Sequence, residues 1–172
     1  RIKKNLDEVA LKFALAFPDL YEIGTSHFGI QILYSILNAR DDIAAERVYC
    51  PPEDMRQYLT EKNIPLVSLE SSAPLKNFDI VGFSLLYELN YTNILTMMRL
   101  SDIPFLAEER NENHPMIIAG GPCACNPEPV ARFFDAIVFG DGEKVCLEMA
   151  EAWIRCRKQG SVKKREVLEE WK

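Results

Sequence analysis

Short, nearly uninterrupted apolar runs alternate with segments of helical periodicity along this chain. Phe13-Ala14-Leu15-Ala16-Phe17 is the first run, stopped by Pro18. Parallel strands read this way because both of their faces are covered. Apolar residues then recur at helical spacing: Ile32, Leu33, Ile36 and Leu37. A weaker strand covers Ala45 to Tyr49. Pro52 opens a second helix, with Glu53 and Asp54 in its first turn and Lys62 in its last, the polarity its dipole favours. Met55, Tyr58 and Leu59 are its expected buried face. Leu66 to Leu69 reads as a short additional strand, and Asp79 to Ser84 as a central one. The following helix, from about Leu89 to Leu100, should turn Ile94, Leu95 and Met98 inward. Met116 to Ala119 is a strand closed by Gly120-Gly121-Pro122. Asn126-Pro127-Glu128 looks like the capped start of a short helix through Phe134. Ala136 to Phe139 is the last strand, and Gly140-Asp141-Gly142-Glu143 leads into a helix reaching about Lys158.

Strand and helix thus alternate through the chain, which implies an α/β fold: a parallel five-stranded sheet with helices on both faces. One domain is expected over residues 1–160, with residues 161–172 starting a linker or helix. The chain opens on Arg1 and closes within a charged, helix-like stretch, so it reads as a piece of something longer.

Composition narrows the partners. The formal net charge of −6 argues against a nucleic-acid face. The basic cluster Lys163-Lys164-Arg165 reads as a solvated helix face. No apolar run approaches the roughly 20 residues of a membrane span, and no signal peptide is visible. The expected compartment is the cytoplasm. Five cysteines without a secretory signature do not suggest a disulfide framework. Cys123-Ala124-Cys125 lacks a second pair at zinc spacing. Cys146 and Cys156 fall in a helical pattern and read as small buried hydrophobes.

Ligands of open α/β sheets sit beyond the carboxyl ends of the strands. The loops leaving that edge span residues 18–29, 84–90, 120–129 and 140–143. Gly120 and Gly121 suit either close backbone approach to a ligand or a tight turn. Gly140 and Gly142 around Asp141, followed by Glu143, suit either a helix cap or hydrogen bonding to ligand hydroxyls. No Gly-Lys-Ser/Thr follows, so this is not a phosphate loop, and the first strand lacks a dinucleotide fingerprint. The Ser84 hydroxyl can reach a ligand or the next helix's amides. Tyr87 and Tyr91 can line a flat ligand, although core packing is the simpler role for Tyr91. His27 reads as a solvated loop residue and His114 as part of a polar connector.

Three short signals in order carry a family resemblance: Asp19-Leu20-Tyr21-Glu22-Ile23-Gly24, Ser84-Leu85-Leu86 and Gly120-Gly121. They resemble the D-x-H-x-x-G, S-x-L and G-G series of cobalamin-binding domains. The longer strings from about Leu11 to Trp153 are similar to the N-terminal domain of an uncharacterised branch of the radical S-adenosylmethionine proteins. That resemblance implies a flavodoxin-like (Rossmann-like) sheet and a partner barrel downstream in the same protein. The barrel would hold a [4Fe–4S] centre and S-adenosylmethionine through a C-x-x-x-C-x-x-C motif, which is missing here. It implies no catalysis by this domain alone and an unknown substrate. Its cofactor would be cobalamin, bound through Asp19, Tyr21, Gly24, Ser84, Leu86, Tyr87, Gly120, Gly121, Pro122, Gly140, Gly142 and Glu143. Tyr21 stands at the cobalt-ligating His position. A phenol with a pKa of about 10 is a poor substitute for imidazole, so cobalt is expected to carry no protein ligand. The alternative implied by Tyr21 is a degenerate copy that binds no cofactor and docks on, or gates, the barrel.

Overall fold

The computed structural model describes residues 1–160 and 163–171. Its five strands are all parallel: β1 (Leu11–Phe17), β2 (Ile43–Tyr49), β3 (Ile80–Ser84), β4 (Met116–Gly120) and β5 (Ala136–Val138). Their order across the sheet is β2-β1-β3-β4-β5, the flavodoxin-like order. The helices are α1 (Tyr21–Gly24), α2 (Phe28–Asn38), α3 (Glu53–Lys62), α4 (Tyr91–Leu100), α5 (Gly142–Lys158) and α6 (Lys164–Glu170).

Strand alternation divides the core in two. Leu11, Phe13, Leu15, Ile80, Met116 and Ile118 face Ile30, Leu37, Cys146 and Met149 of α2 and α5. Ala14, Ala16, Val81, Phe83, Ile117 and Ala119 face Ile94, Met97 and Met98 of α4. Because each strand is covered twice, its sequence reads as a continuous apolar run.

Edge strand β2 is sealed rather than left open. The buried Asn38 amide donates to the Ala45 carbonyl and accepts from the Ala45 N–H. Glu70 accepts from the Arg47 N–H and from two guanidinium nitrogens, while Arg47 lies 4.4 Å over the Tyr34 ring. At the other side Arg110, its side chain fully buried, bridges Asp135 and the carbonyls of Pro104, Phe105 and Phe133. Asp135 Oδ2 also accepts the Ile117 N–H at 2.7 Å, which registers the approach to β5 against β4.

Several expected details differ. The α2 stripe is Ile30, Tyr34 and Leu37, with Leu33 and Ile36 only half-buried and Ile32 exposed. On α3, Met55 and Tyr58 are exposed, and Leu59 alone of the three packs inward. Met97 replaces Leu95 as a buried residue of α4. Leu66 to Leu69 forms no sheet strand; it makes an antiparallel bridge from Val67 to Pro74 and a hydrogen bond from Leu69 to Arg47. The segment after Asn126 is turns and a 3-10 turn at Ala131–Phe133, because Pro127 and Pro129 deny a helix its amides. Lys164 is buried, donating to the Pro115 carbonyl, so the basic cluster is not simply a solvated face. Cys146 and Cys156 are buried in α5, as their spacing suggests. The expected linker begins at residues 161 and 162, which lie outside the described residues, as does residue 172.

Candidate functional site

A cavity of 410 Å³ lies between the sheet and the helix pair α2 and α5, reaching the loops at the carboxyl edge. Phe13 and Leu15 of β1, Gly82 of β3, Ile118 of β4 and Val138 of β5 form its floor. Ile30, Leu33 and Cys146 form its helical walls. The rim is Ser84, Leu86, Gly120, Gly121, Pro122, Cys125, Gly140, Asp141, Gly142 and Glu143.

Missing side chains create this space. Six of the chain's eight glycines line it: Gly29, Gly82, Gly120, Gly121, Gly140 and Gly142. Gly82 and Gly120 sit on the α2/α5 face of adjacent strands, where a glycine marks close approach of a ligand or backbone. Gly29 and Gly142 begin the two helices opposite. Gly121 has φ +117° and ψ −178°, and a Cβ there would lie 2.9 Å from the Leu85 carbonyl oxygen. That approach lets Leu85 N–H reach the Gly120 carbonyl and Cys123 N–H reach the Leu85 carbonyl, knitting two rim loops together.

The cavity gathers eight of the residues picked from sequence: Ser84, Leu86, Gly120, Gly121, Pro122, Gly140, Gly142 and Glu143. The Ser84 hydroxyl has no hydrogen-bond partner among the described residues. Asp141 occupies the N-cap position of α5 but makes no side-chain cap hydrogen bond. Four expected residues lie elsewhere. Asp19 accepts from the Leu20 N–H and the Asn90 amide, tying the β1 and β3 loops together. Tyr21 is 45% exposed and packs edge-on against Tyr49, with centroids 5.3 Å apart. Tyr87 is exposed on the loop after β3.

Gly24 is needed for packing. A Cβ there would meet the Phe17 and Tyr49 rings at 2.6 Å. Gly24→Ala should therefore cost about 1–3 kcal/mol through overpacking, read from urea unfolding. A neutral result would show that these rings move aside freely.

Sequence reasoning missed His27, Gly29, Cys125 and the apolar floor. His27 is no solvated loop residue: it lines the cavity, its ring 5.4 Å from that of Phe17. His114 accepts from the Asn111 N–H in the connector before β4. Burial pushes the Cys146 thiol up to about 11, with Glu143 adding to the shift. Burial raises Cys50 to about 11 as well. At mildly alkaline pH iodoacetamide should therefore alkylate exposed Cys125 and spare Cys50 and Cys146, as mass spectrometry would show. Equal labelling of Cys146 in the native protein would contradict the closed inner wall.

No group of three or more His, Cys, Asp or Glu side chains is placed to hold a metal among the described residues. No helix among them is long and apolar enough to cross a membrane.

The strand order and the glycine-lined cavity define an α/β domain of flavodoxin-like architecture with an open crevice at its carboxyl edge. The chain belongs to the family described as radical SAM proteins, N-terminal, whose model matches residues 29–172. It is also 26% identical over 131 residues to an uncharacterized protein of Methanocaldococcus jannaschii, covering 76% of this chain. The chain spans 24% of that relative's length. No solved structure matches it.

Proposed function

We propose that this domain is the cofactor-binding N-terminal module of a radical S-adenosylmethionine enzyme, and that its cofactor is cobalamin. The observation that carries the reading is the convergence of six glycines, from both sheet and helices, on one largely apolar cavity. Ser84, Leu86, Gly120 and Gly121, the residues of the S-x-L and G-G signals, stand at its rim. Such a cavity would suit the flat, apolar base of cobalamin's nucleotide tail, with Gly82, Gly120 and Ile118 of the sheet and Ile30 and Leu33 of α2 as the residues to hold it. Cobalamin would supply methyl-transfer or radical chemistry to the whole enzyme. This chain's residues would bind and orient it: the glycines would admit the tail, Ser84 would offer a hydroxyl that has no partner among the described residues, and the apolar floor would exclude water.

Tyr21 does not fit the role of cobalt ligand, since it packs on Tyr49 away from the cavity. No ligand to cobalt would therefore come from that position. The iron–sulfur centre and S-adenosylmethionine belong to a downstream barrel of the same protein, which this domain would serve in the cytoplasm.

A specific observation favours a docking role as the second reading. Ile23, Phe28, Leu89 and Phe139 are exposed, with Phe28 at 77% and Leu89 at 71%, and all lie on loops or helix starts at the carboxyl edge. The experiment is to mix the full-length protein with excess hydroxocobalamin, desalt it and record the visible spectrum. Retained cobalamin with a base-off spectrum is expected. Complete loss on desalting would overturn the cofactor reading and leave docking or gating of the barrel.

A further inference from the structure

The loops at the carboxyl edge are hydrogen-bonded to one another in series, with one exception. Asn90 of the β3 loop donates to the Asp19 carboxylate of the β1 loop, and Asn93 of α4 to the Pro18 carbonyl. Cys50, after β2, donates to the Asp19 carbonyl, while Leu85 and Cys123 join the β3 and β4 loops. Residues 139–141, after β5, make no hydrogen bond to another rim loop among the described residues. Asp141 does not anchor them to α5 either, because its side chain caps no amide.

This free loop carries what a cover needs. Gly140 has φ +88°, and a Cβ there would meet nothing within 4 Å, so the backbone has both room and freedom to turn. Phe139 stands between Val138 and Gly140, which both line the cavity, yet its ring is 63% exposed. A segment with few contacts opens and closes at low cost, and an exposed ring beside an apolar hollow is stabilised by covering it. We infer that residues 139–141 form the gate of the cavity, with Phe139 as the leaf that folds over the mouth once a ligand is inside. The linked β1, β3 and β4 loops are the fixed frame against which it closes. The inference rests on the cavity being a ligand site, whatever that ligand is.

Hydrogen exchange of the full-length protein, read by mass spectrometry with and without hydroxocobalamin, tests the gate. In the free protein the amides of residues 139–142 should exchange about tenfold or more faster than those of Leu85 and Cys123, and ligand should slow them. Stopped-flow kinetics test the leaf. Phe139→Ser changes an exposed ring, so its melting temperature should match the wild type. Its dissociation rate for hydroxocobalamin should rise about tenfold with the association rate unchanged, and Phe139→Leu should recover most of the residence time. Exchange as slow after β5 as in the linked loops, or wild-type dissociation from Phe139→Ser, would overturn the inference. If the wild type holds no hydroxocobalamin, the cobalamin reading falls, and the exchange rates of the free protein alone decide the gate.

Discussion

Arg110→Ala is expected to destabilise the domain by about 3–5 kcal/mol, the cost of breaking a buried pair by removing one partner. The guanidinium is fully buried and donates to Asp135 and to the backbone carbonyls of Pro104, Phe105 and Phe133. Burial lowers the Arg110 pKa from its ordinary value, and Asp135 beside it opposes that shift. Without Arg110, a nearly buried carboxylate keeps only the Ile117 N–H as a hydrogen-bond donor among the described residues, and three carbonyls lose the Arg110 donor. The loss should extend to the site, because Asp135 positions β5, and β5 delivers Val138 and the Gly140–Glu143 loop to the cavity. Arg132→Ala is the contrast: its pair with Glu108 is exposed on both sides and should change stability by less than about 1 kcal/mol. Urea unfolding of the two variants measures the difference, and similar midpoints would refute the assignment of Arg110 as a buried strut.

Gly121→Val carries the second large effect, about 3 kcal/mol, joined to loss of ligand binding. The φ and ψ at Gly121 lie in a region that is essentially restricted to glycine, and the added carbon would press on Leu85 backbone, which cannot rotate away. Two hydrogen bonds between the β3 and β4 loops depend on this approach. Gly120→Ala separates strain from occupancy. Its Cβ would meet Val138 at 3.5 Å, an ordinary contact, so it should fold normally and only narrow the cavity. If Gly121→Val melted with the wild type, the close approach of the two loops would not be required.

The strands were legible because a strand covered on both faces leaves an uninterrupted apolar run. Helix faces were less so. Periodicity alone admits a stripe through Ile32 and Ile36, but α2 packs on the sheet through Ile30, Tyr34 and Leu37. Rim residues announced themselves as glycines and a serine at strand ends. The floor did not, since Phe13, Leu15 and Ile118 resemble any other core residues until a neighbouring element withholds its side chain. Gly82, a glycine inside an apolar run, was the available signal for that gap. His27 lay hidden because its meaning depends on Phe17, ten positions earlier in the chain, and on Gly29 leaving its ring space.

A hollow made by absent side chains has an evolutionary consequence. At Gly120, and with a small adjustment of Leu33 at Gly142, a methyl group can enter without disturbing the backbone. Drift toward alanine there would fill unused space and tend to stabilise the fold, so persistence of the hollow requires selection for what occupies it. Descendants that abandon the ligand should therefore silt up at these two positions first, and stay folded as they do.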